Sequence, residues 1–300
     1  MIRALRAGLL AAVAFLPVAR IQTAQAQPVD YPALRVTAPG GAQSLLLGSI
    51  HLGYADVPLP SPQILEQARR VVIEGDPALP QPPRAGDAPP PDAGPRIRIG
   101  DILDAREMQT LRARLACRFP SEPDVFEFAL RYLLNQPLRA GWDVVSPCPE
   151  PGRTGLDQWM KESAAERHVP LDTLEAVADA QAQWYALPDR IFIRGVHRSL
   201  TPQFLQDFAD LLTAVRQGNY EEVCRISDAS FATTEDAALF ERRMLTERNL
   251  RWLPRLEPFL KEGKAVVVVG AAHLCGPTGV PALLRQRGYE LQAVRVPATP

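Results

Sequence analysis

The chain has 300 residues, a formal net charge of −1 and no basic cluster interleaved with aromatics, which argues against nucleic acid or an anionic membrane as its main partner. None of its four cysteines forms a CxxC pair, which excludes a zinc ribbon and a thioredoxin motif. The length fits one large α/β domain or two small ones.

Residues 1–26 read as a secretory signal. Arg3 and Arg6 give a cationic start, AGLLAAVAFLPVA is too short to span a bilayer, and Ala24-Gln25-Ala26 has the small-x-small form of a signal-peptidase site. Residues 27–300 are then expected as one mature domain, periplasmic or secreted. No later run reads as a membrane span, so no stable insertion is expected after the signal is removed. In an oxidising compartment Cys117, Cys148, Cys224 and Cys275 read as up to two disulfides, with three possible connectivities. The alternative for Cys275, two residues after His273, is a catalytic thiol.

The mature chain opens with two β-rich runs in LRVTAPGGAQSLLLGSI around Pro-Gly-Gly, the signature of a hairpin. After His51, PSPQILEQARR predicts a helix with Ser61 as N-cap and Pro62 at its first position. VVIEGD comes next as a short strand, completing a βαβ unit with parallel strands. The chain holds 30 prolines, about twice the usual share, and residues 77–95 are rich in them, which predicts an exposed surface loop. Residues 101–263 read as helical: DILDAREMQTLRARLA, DVFEFALRYLLN, LDQWMKESAAERH and TPQFLQDFADLLTAVRQGNY carry apolar positions three and four apart. At the end, KAVVVVGAAH is an apolar strand of the kind buried in a parallel sheet. GPTGVPALLRQRG reads as a short helix closed by Gly288, and YELQAVRV as an alternating final strand. The fold class is therefore α/β (α+β): a small mixed, largely parallel sheet built from both chain ends, with a large helical middle.

Two of the four histidines stand in one local frame. LLLGSIHLG and VVVVGAAHLCG are aliphatic runs that stop at a glycine, with a histidine three residues later. In an open parallel sheet, ligands bind beyond the carboxyl ends of the strands. His51, His273 and Glu74, which closes VVIEGD, are thus carried to one edge of one sheet. Gly48 and Gly270 let the backbone pass close to a ligand or neighbour. A lone histidine after a strand is usually a hydrogen-bonded loop residue, and a lone glutamate can cap a helix. The matched pair with a carboxylate points instead to one site, with the imidazoles within about 8 Å of each other, or roughly 3–4 Å around a shared ion. His168 and His197 read as surface residues, and Asp76 as part of a turn. Arg248 falls on or near the helical apolar face of Leu245, Trp252, Leu256 and Phe259, beside Met244. An inward guanidinium needs an anion, either a structural carboxylate or a substrate oxyanion.

These segments resemble the TraB/GumN proteins, a family that includes the Tiki proteases and is similar to erythromycin esterase and the haem-binding ChaN proteins. The resemblance covers most of the mature chain and rests on LLLGSIHLG with ILEQARRVVIE, LDTLEAVADAQ, ERNLRWLP, and VVVVGAAHLCGPTGVPALLRQRGY. It implies a core sheet with a helical insert and carries over Gly48, His51, Glu74, Arg248, Asn249, Gly270 and His273. His51, Glu74, Arg248 and His273 then have catalytic roles, while Gly48, Asn249 and Gly270 bind substrate.

The Tiki branch implies metal-dependent cleavage of a peptide or other small extracytoplasmic substrate. His51, Glu74 and His273 would hold Zn²⁺, Mn²⁺ or Co²⁺ with a position open for water, and Arg248 would hold the oxyanion. The esterase likeness implies a metal-free course in which a histidine and Glu74 act as base and acid on water. The ChaN likeness implies a non-enzymatic alternative, a haem iron ligated by the histidines. A further alternative is an inactive member that binds a peptide or glycan.

Overall fold

The computed structural model describes residues 30–54, 57–75, 97–118, 124–130 and 154–299. The residues read as a signal, 1–26, and those read as a proline-rich loop, 77–95, lie outside them, as do Asp76 and Cys148. Strands β1 (Asp30–Thr37) and β2 (Gln43–Ser49) form the hairpin read around Pro39-Gly40-Gly41, with Thr37 opposite Gln43. Gly41 closes the turn at φ +84°, a left-handed conformation that costs glycine no steric penalty. The remaining strands are β3 (Leu59–Pro60), β4 (Arg70–Ile73), β5 (Leu171–Thr173), β6 (Ala265–Gly270) and β7 (Glu290–Thr299).

The sheet runs β3-β7-β1-β2-β6-β4-β5. β2 pairs with β6, β6 with β4, and β4 with β5, all in parallel, while β1 is antiparallel to both its neighbours. β2, β4, β5, β6 and β7 therefore point one way, and β1 and β3 the other. Every residue of β6 is buried, as an all-aliphatic strand at the centre of a parallel sheet must be.

Two details differ from the sequence expectation. β2 and β4 are parallel but not neighbours, because β6 from the far end of the chain lies between them. The segment joining them carries only a 3₁₀ turn, Pro62–Leu65, although Ser61 caps it as read, its Oγ accepting from Gln63 N at 3.3 Å. The turn ends at Leu65, and the chain enters β4 at Arg70. The helical middle also supplies β5 at the sheet edge. Three residues are too few to show a period of two, so no strand was legible there.

The helices are α1 (Ile99–Ile102), α2 (Ala105–Arg118), α3 (Val125–Leu130), α4 (Leu156–Glu166), α5 (Val177–Tyr185), α6 (Asp189–Ser199), α7 (Pro202–Gln217), α8 (Tyr220–Ala229), α9 (Thr234–Phe240), α10 (Glu247–Glu262) and α11 (Val280–Arg285). A π turn, Glu241–Thr246, joins α9 to α10. α4, α8, α10 and α11 pack on the sheet through Met160, Val223, Trp252, Leu256 and Leu284 in one core. α2, α3 and α6 close a second cluster around Leu111, Leu115 and Phe126. Among the described residues no helix is long and apolar enough to cross a membrane.

Candidate functional site at the strand ends

β2 and β6 are parallel neighbours, with Ser49 opposite Gly270, and the two histidines lie just beyond. Glu74 sits after β4 on the other side of β6. His51 Nε2 lies 4.0 Å and His273 Nε2 3.7 Å from the same oxygen, Glu74 Oε1. The two imidazoles thus meet over one carboxylate. Gly270 makes room for this: a Cβ there would stand 3.0 Å from His51 Nε2 and 3.1 Å from Glu74 Oε1. Its N–H donates to Glu74 Oε1.

Gly48 does something else. Paired residues on neighbouring strands face the same side, and Gly48 pairs with Val269, not Gly270. It therefore turns to the opposite face, where a Cβ would meet Tyr220 of α8 at 2.5 Å. Its carbonyl accepts from the Tyr31 hydroxyl at 2.6 Å. Gly48 lets α8 approach the sheet, away from the two imidazoles.

His273 is 3% exposed and lies 4.3 Å, ring to ring, from Trp252. Its Nε2 is 3.2 Å from Arg248 Nη1, and its Nδ1 is 2.6 Å from Asn249 Oδ1. A guanidinium only donates, so Nε2 accepts and the proton is assigned to Nδ1, which donates to Asn249. Asn249 Nδ2 donates onward to the Thr278 carbonyl at 2.9 Å. Asn249 is buried and serves to fix the ring. Burial, aided by the charge of Arg248 and opposed by Glu74, pushes the His273 pKa down to about 3. This imidazole is neutral.

Arg248, 8% exposed, finds its anions in Glu74 and Glu175. Nη2 donates to Glu74 Oε2 at 2.8 Å and to Glu175 Oε1, and Nε donates to Glu175 Oε1 at 3.0 Å. Nη1 donates to the Met244 carbonyl at 3.0 Å and to His273. All five guanidinium N–H groups are thereby engaged, and none is left for a substrate oxyanion. The partner is the structural carboxylate. Burial disfavours the cation, but the two glutamates outweigh it and raise the pKa. Burial also pushes Glu74 up, yet the charges of Arg248 and His51 and the Gly270 N–H hold it down to about 2.

His51 is the open member, its side chain 55% exposed. Its φ of +61° is uncommon for a residue with a Cβ. Its backbone N–H donates to Ser49 Oγ at 2.8 Å, and its Nδ1 lies 3.1 Å from Asp157 Oδ2. Loss of hydration alone would lower its pKa, but the charge and hydrogen bond of Asp157, with Glu74, raise it to about 9. Ser49 is buried and its hydroxyl donates to Asp157 Oδ2. Serine, histidine and aspartate thus meet here, but the hydroxyl sits on the Asp157 side of the ring and is no nucleophile for Nε2.

His51, Glu74, Arg248, Asn249, Gly270 and His273 come together as read, and Gly48 does not join them. Glu175, Asp157 and Ser49 were missed. Glu175 is the second residue beyond β5, as Glu74 is the first beyond the neighbouring β4, inside LDTLEAVADAQ, but its strand gave no period. An acid in the first turn of a helix, as Asp157 is, is ordinary capping chemistry and gave no signal. His197 is half-buried against Glu107, 2.6 Å away, and His168 is exposed.

A divalent ion needs lone pairs converging on one point at about 2 Å. Here His273 Nε2 and Glu74 Oε2 face Arg248, and Glu74 Oε1 accepts from Gly270. With Arg248 in place these lone pairs do not fit an ion, because the guanidinium holds the cation's position. Among the described residues no group of three or more His, Cys, Asp or Glu is arranged to hold one. Cys275 is disulfide-bonded to Cys224, with Cα atoms 6.3 Å apart, so it is not a free thiol. The bond ties α8 to the turn that carries His273.

The class this arrangement defines is an α/β protein with a carboxylate–imidazole–guanidinium cluster at the strand ends of a mixed sheet. The chain matches the TraB/PrgY/gumN family over residues 33–293, a span that includes the whole cluster, and it belongs to that family. It is 26% identical over 263 residues to the uncharacterized protein YbaP of Shigella flexneri, covering 85% of this chain and 92% of that protein. The identity to the protein of the same name from Escherichia coli (strain K12) is 25%, with the same coverage. No solved structure gives a significant match.

Proposed function

We propose that this protein is an exported hydrolase in which His51 activates water against the carbonyl of a peptide or ester. One observation carries the reading. Within the cluster His51 alone is open to solvent, and its Nε2 points toward Glu74 while its other nitrogen is engaged. His273, Arg248 and Asn249 are buried with their polar atoms committed to one another. In its neutral form His51 takes a proton from water at Nε2, and the hydroxide attacks the carbonyl carbon. The imidazolium, stabilised by the Glu74 carboxylate, returns the proton to the departing oxygen or nitrogen. Glu74, with its lowered pKa, stays ionised throughout and is an electrostatic partner, not an acid.

Export is supported by the leader-like residues 1–26, and a peptide substrate by the Tiki resemblance. No step runs through a metal, because Arg248 faces the lone pairs an ion would need. The test is turnover of a peptide and ester library by the purified mature protein, with His51→Ala and Glu74→Gln beside it. Both substitutions should abolish turnover, and chelator should leave it unchanged. Full turnover by His51→Ala would end the proposal. Turnover lost to chelator and restored by Zn²⁺, Mn²⁺ or Co²⁺ would place an ion at His51, Glu74 and His273 instead. A Soret band on adding hemin, lost in His51→Ala, would support the haem-binding alternative.

A further inference from the structure

Asp157 matches none of the paired motifs, yet it makes the contacts that hold His51. A residue with a Cβ kept at positive φ is strained and persists only where its surroundings over-determine it. For His51 the restraints converge on one atom, Asp157 Oδ2. That oxygen lies 3.1 Å from His51 Nδ1. It also accepts from the Ser49 hydroxyl, whose oxygen in turn accepts the His51 backbone N–H at 2.8 Å. Ring and backbone of His51 are thus fixed by one carboxylate, the second through Ser49.

Asp157 is delivered by the first turn of α4, where the helix dipole favours a negative charge. Gly155, at the cap of the same helix, lies so close to the His51 carbonyl that a Cβ would overlap it. The helix is therefore pressed against the strained residue itself. An acid serving only its own helix would have no reason to satisfy Ser49 and His51 on a different element. Asp157 is 8% exposed and meets the ring at Nδ1, away from Nε2, so it stands outside the reach of substrate.

We propose that Asp157, linked through Ser49, is a positioning residue that fixes the Nδ1–H tautomer of His51 and turns Nε2 toward Glu74 and the reacting group. The inference rests on the reading of His51 as the base, and it adds the residue that makes a half-exposed imidazole hold one orientation. A mobile ring would present either nitrogen, and misplacement of a catalytic group by about 1 Å costs roughly 10²-fold in rate.

The test is proton NMR of the full mature protein, reading the low-field Nδ1–H signal of a carboxylate-bound imidazole. The signal is assigned to His51 by its loss in His51→Ala. Asp157→Asn should remove or shift that signal while the fold, read by circular dichroism, is retained. On any substrate the wild type turns over, Asp157→Asn should lower kcat by about 10²–10⁴-fold with KM little changed. An unchanged His51 signal in Asp157→Asn overturns the proposal, as does unchanged kcat. Should that variant fail to fold, Ser49→Ala, which leaves the carboxylate in place, must shift the same signal, and an unchanged signal there also overturns it. The two readings fail separately. Full turnover by His51→Ala removes the base, whereas the NMR signal tests the link to Asp157 whether or not a substrate is found.

Discussion

Arg248 Nη1 and His273 Nε2 meet at 3.2 Å in the buried half of the site, and that contact separates the two imidazoles chemically. His273 accepts from a permanent cation and stays neutral. His51, beyond the reach of those N–H groups and beside two carboxylates, takes up a proton. One site therefore holds a neutral and a charged histidine, and the difference has consequences for pH, packing and stability.

Turnover should climb with pH and level off above about 9, where His51 loses its proton, if its neutral form is the base. A rate that falls through the same range would make the imidazolium an acid and sink the base role. Stability moves in the opposite sense at that residue. A raised folded pKa adds stability that is full below about 6.5 and is lost as pH rises through about 9. His273 and Glu74, whose folded values lie at about 3 and 2, add stability present above their ordinary values of 6.5 and 4.5 and lost as pH falls toward the folded ones. The thermal midpoint should therefore peak near pH 6.5, with an alkaline decline flattened in His51→Ala.

The two motif glycines should separate function from packing. Gly270→Ala places a methyl against His51 Nε2 and Glu74 Oε1 and should lower turnover by about 10²-fold, with a small change in midpoint. Gly48→Ala drives a methyl into Tyr220 and should cost about 1–3 kcal/mol by urea unfolding, with the site chemistry retained. The reverse pattern would mean that the faces are misassigned.

Removing Arg248 should be costly whatever the reaction. Arg248→Met leaves Glu74 and Glu175 buried without their cation, a loss of about 3–5 kcal/mol by analogy with broken buried pairs. Denaturant unfolding measures it, and a loss under about 1 kcal/mol would show that the network is not what holds these carboxylates.

The Cys224–Cys275 bond closes a separation of 51 residues, for which chain entropy gives about 4 kcal/mol. Denatured, non-reduced protein should leave both cysteines unlabelled by a thiol reagent. Labelling of either in most molecules would remove the restraint on the turn that holds His273.

Local pattern alone marks the places where chemistry emerges. Two aliphatic runs, each ending in glycine and then histidine, are short-range signals, and a buried parallel strand must deliver the residues after it to one edge of the sheet. His51, Glu74 and His273 were legible for that reason, as were the hairpin at Gly41 and the Ser61 cap. Which strands touch is a matter of long-range packing. The insertion of β6 between β2 and β4, and the one-residue offset that pairs Ser49 with Gly270 and turns Gly48 away, depend on contacts between segments distant in the chain. The same holds for Asp157, Glu175 and the five committed N–H groups of Arg248. Facing along one strand is fixed by the backbone's period of two, but burial, charge pairing and desolvation are set by whatever the rest of the chain brings alongside. Those long-range neighbours decide which imidazole is charged and which is neutral.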